Sequence, residues 1–221
     1  MSVSIVTDVQ ALGLLGGAFD PVHIGHLRGA IAVREHLGLE RVDFLPAAQS
    51  PLKDAATVAA ADRLAMLEAA VQDQPGLGVD ARELGREGPS YTVDTLIELR
   101  REVGQARPLI WIVGTDILPA LPKWSRWQQL LELAHLVILA RPGADSPPPA
   151  VTQWLDQHRI DQNALLALPA GGVMTLDQPV LDIASSDIRA LLAAGRDPRF
   201  LLPDVVMEYI ERHKLFMCDT V

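Results

Sequence analysis

The sequence predicts an α/β protein built on a doubly wound parallel sheet in a single domain. Three observations carry that expectation. Short apolar runs alternate along the chain with stretches of helical periodicity, the pattern of strands joined by crossover helices. Several runs, such as Leu-Ile-Trp-Ile-Val at 109–113 and His-Leu-Val-Ile-Leu-Ala at 135–140, are apolar without alternation, as parallel strands covered on both faces should be. No stretch recurs at a fixed period, which sets aside a repeat architecture.

Residues 1–10 show no pattern to pair and are expected to form a loose extension, leaving 11–221 as the domain. The first strand is 11–15, followed by a glycine turn and a helix that continues to about 37, with Ile24, Leu27, Ala30, Ile31 and Val33 on its apolar face. Asp20 precedes a proline and is pushed away from helical geometry, while Pro21 suits a helix start, where its missing N–H costs nothing. Residues 41–46 read as a second strand and 49–61 as a loop. Asp62 is a candidate cap for a helix that Pro75-Gly76 ends. A third strand is expected over 77–84 and a polar loop over 85–89. The next helix starts at Ser90-Tyr91-Thr92 and closes at Gly104; the strand 109–113 follows and ends at Gly114-Thr115-Asp116. A tryptophan-rich segment, with Trp124 and Trp127 on either side of Arg126, leads to a short helix over 128–133 and the strand 135–140. Pro147-Pro148-Pro149 stiffen a surface loop at 145–150, and a helix covers 151–158. A turn at Gly171-Gly172, a strand over 173–176 and helices over 187–194 and 204–213 complete the chain.

At 221 residues and 49% hydrophobic content the chain can bury one substantial core. A formal net charge of −9 argues against a general nucleic-acid binder. A small anionic nucleotide can still meet a locally positive pocket. The single cysteine, Cys218, excludes a disulfide framework and a cysteine-based zinc site, and suits a reducing cytoplasm. No Lys or Arg precedes Arg28, and the apolar run near 12–19 is broken by glycines and too short to span a bilayer. A cytoplasmic protein without membrane partners is the expectation.

Chemistry concentrates first in residues 16–26, Gly-Gly-Ala-Phe-Asp-Pro-Val-His-Ile-Gly-His. A strand–turn–helix offers unpaired N–H groups and the positive end of a helix dipole, which attract phosphate. Gly16 and Gly17 let a ligand approach the backbone closely and allow angles a side chain would forbid. His23 and His26 share one helix face, with Gly25 clearing the space between them. A second station is Ile-Ala-Ser-Ser-Asp-Ile-Arg at 183–189. Ser185 or Ser186 is expected to cap the helix that follows, with Arg189 projecting from its first turn, so that hydroxyls, N–H groups and a guanidinium meet where a triphosphate can lie. Taken singly, each station is also what a surface histidine pair or an ordinary capped helix looks like.

Together the two stretches resemble the paired signatures of the HxGH nucleotidylyltransferase superfamily, Gly-Gly-x-Phe-Asp-Pro-x-His-x-Gly-His and Ile-Ser-x-x-x-Ile-Arg. Ala184 stands where that superfamily usually has serine, although Ser185 and Ser186 remain. The middle of the chain narrows the resemblance. Ser90-Tyr91-Thr92, Gly114-x-Asp116 and Trp124 are similar to the nicotinate-mononucleotide adenylyltransferase branch, and all the motifs fall in its order. The resemblance implies a Rossmann-like nucleotidylyltransferase fold. It also implies adenylyl transfer from ATP to nicotinate mononucleotide, giving deamido-NAD and pyrophosphate in NAD synthesis.

By that resemblance His23, His26 and Arg189 are catalytic: the histidines hold the ATP phosphates, and Arg189 with Ser185 and Ser186 grips the leaving pyrophosphate. Gly16, Gly17, Phe19, Gly25, Asp116, Arg141 and Ile188 complete the ATP site. Ala18, Asp20, Lys53, Ser90, Tyr91, Thr92 and Trp124 are implied for the mononucleotide, with the Tyr91 and Thr92 amides on the nicotinate carboxylate and Trp124 stacked on the pyridine ring. The physics agrees, because a helix start attracts a carboxylate and a tryptophan face suits a cationic pyridinium. The mononucleotide phosphate is already ionised and attacks the α-phosphorus directly, so catalysis reduces to alignment and charge neutralisation. A polyanion nearby favours protonated imidazole. Mg²⁺ is expected to arrive with ATP and keep most of its waters, with no resident metal site.

One departure stands out. The branch commonly has Pro-Pro-His-Lys or Pro-Pro-His-Arg after the second strand, whereas Ser50-Pro51-Leu52-Lys53 keeps only the charge. Pantetheine-phosphate adenylyltransferase shares the fold and signatures, but it is typically shorter, has Thr in place of His23 and lacks the middle motifs; a cytidylyltransferase is disfavoured on the same grounds. Leu52 and Ala184 leave open a nucleotide-binding regulatory protein with weakened catalysis. A metal role for His23 and His26 lacks a third ligand at a recognisable spacing, and an NAD-dependent oxidoreductase would need a Gly-x-Gly-x-x-Gly turn. Oligomeric state and the choice between acid and amide mononucleotide stay open at this level.

Overall fold

Among the residues that the computed structural model describes, 10–49, 56–140, 143, 145–177 and 181–217, six parallel strands form one sheet. They are β1 (Leu12–Gly17), β2 (Arg41–Pro46), β3 (Leu77–Val79), β4 (Leu109–Gly114), β5 (His135–Leu139) and β6 (Val173–Leu176), in the order β3-β2-β1-β4-β5-β6. Helices α1 (Ile24–Leu37), α2 (Ala60–Val71), α6 (Gln162–Ala167), α7 (Ser185–Ala193) and α8 (Asp204–His213) contribute to the core on one face. On the other lie α3 (Thr92–Val103), α4 (Leu130–Leu133) and α5 (Pro149–Gln157). The strand order reverses between β1 and β4, and the segments leaving these two strands go to opposite faces. Such a reversal opens a crevice at the carboxyl ends of the strands, where doubly wound sheets bind ligands.

Neighbouring strand residues serve different cores. Ile110, Ile112, Val137 and Leu139 belong to one, and Leu109, Trp111, Val113, Leu136 and Ile138 to the other. That division makes the runs continuous in sequence, since both faces are covered. Each fully buried side chain of this kind contributes about 1.5–3 kcal/mol.

Several local expectations are corrected. The third strand stops at Val79, and a 3₁₀ turn at Arg82–Gly85 replaces its second half. Asp80 is the reason: its carboxylate accepts the Arg82 N–H at 3.0 Å and Arg82 Nε at 2.7 Å, closing the backbone into a turn. Asp62 does not cap α2, which begins at Ala60 after Ala59, but accepts a hydrogen bond from the Tyr209 hydroxyl at 3.0 Å. Pro21 does not open α1; His23 is the cap, and Pro21 precedes it in a cis bond after Asp20. Pro149 belongs to α5 as its first residue rather than to the loop. Two elements lie outside the expected helices and strands: a 3₁₀ segment, Thr115–Lys123, interrupted by Pro119 and Pro122, and α6, whose cap Asp161 accepts the Ala164 N–H at 2.8 Å. No described helix is long and apolar enough to cross a membrane. Residues 1–9, Leu52, Lys53, Arg141 and Cys218 lie outside the described residues.

Candidate active site

The end of β1 is shaped by close packing. A Cβ on Gly16 would lie 2.5 Å from the Trp111 ring, and one on Gly17 would lie 3.0 Å from the Phe19 ring. Neither glycine has a positive φ; the left-handed residue is Phe19, at φ 50°. Its buried ring lies edge-on to His26 and to Phe44, with centroids 5.0 and 5.6 Å away. Gly16 is therefore required by an aromatic ring of the protein itself, and Gly17 leaves close room for another.

His23 and His26 form a reciprocal cap at the start of α1. The His26 N–H donates to His23 Nδ1 and the His23 N–H donates to His26 Nδ1, each at 3.3 Å, and the rings stack with centroids 3.6 Å apart. This is a capping box built from two imidazoles. A nitrogen that accepts carries no proton, so the neutral rings hold theirs on Nε2. Gly25 leaves room between them, since a Cβ there would sit 3.1 Å from the His23 ring. The Ile24 N–H is taken by the Leu201 carbonyl at 2.9 Å, so the open helix start expected from the sequence narrows to Gly25.

The second station packs directly on the first. Arg189 donates to the Asp20 carbonyl at 2.7 Å and lies 3.7 Å from its carboxylate, while the Ser185 hydroxyl donates to the Pro21 carbonyl at 3.0 Å. Ser185 is thus a tether and not the expected cap; Ala184 occupies that position without a side-chain bond. Ser186 is exposed, 3.4 Å from Asp187, and the Ile188 side chain is wholly buried in the core. Asp20 is itself buried, and its carboxylate accepts the Thr57 N–H at 2.7 Å.

On the opposite rim, Ser90 does not cap α3 either. Tyr91 holds that position, and the Ser90 hydroxyl accepts the Ala48 N–H at 3.0 Å. Below it, Glu83 is buried and accepts from the Thr95 hydroxyl at 2.6 Å. Burial raises the Glu83 pKa, against hydrogen bonds from Thr95 and Ser90 and the charge of Arg86. Trp124 and Tyr91 are half-buried on the same cluster, and Arg126, at φ 51°, is ion-paired with Asp94 in the first turn of α3. Asp116 is exposed just beyond β4.

The cytidylyltransferase-like family profile matches residues 14–191. A probable nicotinate-nucleotide adenylyltransferase of Pseudomonas putida strain W619 is 47% identical over 209 residues, covering 94% of this chain and 95% of that one. The chain belongs to the nicotinate-nucleotide adenylyltransferase family. A probable member from Pseudomonas aeruginosa strain PAO1 is 44% identical, with 94% and 97% of the two chains covered. Among solved structures, the nicotinic acid mononucleotide adenylyltransferase of Plasmodium falciparum complexed with NaAD superposes with a TM-score of 0.71 at 16% identity, covering 94% of this chain and 97% of that one. At that identity the likeness establishes the adenylyltransferase fold.

Within this adenylyltransferase the structure brings His23, His26, Ser185 and Arg189 together, with Asp20 beneath them. One residue of this neighbourhood escaped the sequence. Arg63 on α2 is 1% exposed and donates to the Ala18 carbonyl at 2.7 Å and the Ala48 carbonyl at 3.3 Å. Burial lowers its pKa, and the Asp20 carboxylate opposes that shift. The signal available was a charge on the stripe it shares with Met66, Leu67 and Ala70, all buried.

Proposed function

We propose that the chain transfers the adenylyl group of Mg–ATP to nicotinate mononucleotide, yielding deamido-NAD and pyrophosphate in NAD synthesis. One observation carries the reading: the Arg189 bond to Asp20 and the Ser185 bond to Pro21 join the two signatures across more than 160 residues, beside the histidine pair. The names of the Pseudomonas relatives support the acceptor, and the Plasmodium structures with NaAD and with APC support nucleotide ligands.

The 5′-phosphate oxygen of the mononucleotide would bond to the α-phosphorus as the bond to the β-phosphate oxygen breaks and pyrophosphate leaves. The charge that builds on the α-phosphate is met by Nε2–H donors of His23 and His26 at the positive end of α1. Arg189 keeps one nitrogen on Asp20 and offers the rest of its fork to the departing phosphates. Trp124 stacks on the pyridine ring, and the amides at the start of α3 receive its carboxylate. Magnesium would enter as part of the Mg–ATP substrate, keeping most of its waters.

The test is pyrophosphate release from Mg–ATP with nicotinate mononucleotide, nicotinamide mononucleotide or phosphopantetheine as acceptor. Nicotinate mononucleotide should give the highest kcat/KM. No release with any acceptor would point to a nucleotide-binding regulatory protein instead.

A further inference from the structure

Arg63 has no part in the chemistry above, yet a buried guanidinium is costly unless its surroundings compensate it. Both of its hydrogen bonds go to main-chain carbonyls bordering the crevice, Ala18 in the turn after β1 and Ala48 beyond β2. The other buried arginine among the described residues, Arg100, binds the carbonyls of Leu133, Gly104, Arg107 and Pro169, which flank the amino ends of β4 and β5 and join them as a staple remote from the site. The Ala18 carbonyl and the Phe19 N–H belong to one planar peptide and point in opposite directions. A donor held on that carbonyl from α2 therefore sets the Phe19 N–H pointing the other way, away from Arg63. Phe19 then continues at φ 50°, a strained value for a bulky residue, and such values persist only where the surroundings over-determine them. Half a turn of the 18–19 peptide would carry φ of Phe19 from 50° to about −130°, out of the strained positive range. It would also aim the Ala18 carbonyl at any bound anion.

We propose that Arg63 is a positioning residue that locks this peptide. It keeps the Phe19 N–H presented to an anionic phosphate oxygen and keeps the Ala18 carbonyl out of the way. The bond to Ala48, whose own N–H is held by the Ser90 hydroxyl, fixes the turn against the acceptor rim. The inference rests on the crevice binding a nucleotide, as read above.

Arg63→Lys tests it, because lysine keeps the charge beside Asp20 but lacks the planar fork that holds two carbonyls at once. Met66→Ala, three residues along α2 and also buried, is the matched control for stability. With only four phenylalanines in the chain, selective ¹⁵N labelling resolves the Phe19 amide by nuclear magnetic resonance. The wild-type Phe19 signal should move on addition of Mg–ATP. In the Lys variant it should stay still while calorimetry shows ATP still binding, and kcat should fall on the order of 100-fold, as for a lost oxyanion donor. Met66→Ala should lose comparable stability with kcat within about threefold of wild type, since no donor to the anion is removed. A Phe19 signal that responds normally in Arg63→Lys, or equal losses of kcat in the two variants, overturns the lock. Should wild type release no pyrophosphate with any acceptor, the adenylyltransferase reading fails, and the Phe19 response to ATP alone still decides for or against the lock.

Discussion

His23 combines two jobs in one ring, and the two can be separated. Its Nδ1 closes the cap of α1, while Nε2 is the donor assigned to the phosphates. Asparagine is among the best N-caps but cannot reach as far as Nε2. His23→Asn should therefore hold its thermal midpoint close to wild type while kcat drops on the order of 10²–10³. His23→Ala should lose the cap as well, about 1 kcal/mol. Thermal scans beside pyrophosphate-release assays check both variants; if Asn restored turnover, the donor role would be gone. The same separation explains how far the site was legible. Residues 16–26 and 183–189 were recognisable as stations because their spacing is local. What each group bonds was not, since Ser90 meets Ala48 and Ser185 meets Pro21 across 42 and 164 residues. The partners of Arg63 are hidden for the same reason, lying 45 and 15 residues away in loops.

Between elements, the proposed acceptor site depends on two pieces holding their distance. Trp124 ends the 3₁₀ segment after β4, and Tyr91-Thr92 opens α3. Arg126 pairs with Asp94 and so ties one to the other. Both partners are roughly half exposed, so the pair adds little to stability. Its effect should appear in binding: Asp94→Asn should raise KM for the mononucleotide about two- to fivefold, the range of an exposed pair, and leave KM for ATP unchanged. Trp124→Ala should act in the same direction and more strongly. Equal changes for both substrates in steady-state kinetics would contradict the assignment. Long periodic elements were readable here because burial imposes their period. The 3₁₀ segment was not, since Pro119 and Pro122 interrupt any helical pattern, and β3 was cut short by a side-chain bond that no periodicity reveals.

At the scale of the whole molecule, the late part of the chain supports the early part. Helix α8 packs on α2, with Tyr209 bonded to Asp62, so the helix that carries Arg63 is braced from behind. The sheet is closed at its amino end by a second internal brace, His135, which is fully buried. Its Nδ1 accepts the Gly172 N–H at 2.9 Å and its Nε2 donates to the Leu168 carbonyl at 2.8 Å, a neutral ring with both nitrogens used. Burial lowers its pKa, aided by the Arg100 charge and resisted by the Leu168 carbonyl. The unfolded chain therefore takes up a proton near the ordinary value of 6.5 while the folded protein does not, and stability falls as pH drops through that value. Asp43 and Glu83, both raised chiefly by burial, act in the opposite sense, because protonation removes the cost of burying their charge. A comparison with His135→Asn cancels those contributions, and asparagine can still accept the Gly172 N–H. The variant should be less stable at pH 7.5 by about 1–3 kcal/mol, since the Leu168 carbonyl loses its donor. The gap to wild type should then narrow below pH 6.5, by at most about 1.4 kcal/mol per pH unit. Urea denaturation at pH 7.5, 6.5 and 5.5 measures that gap, and a constant value across the range would mean that His135 takes up its proton in the folded protein as readily as in the unfolded chain.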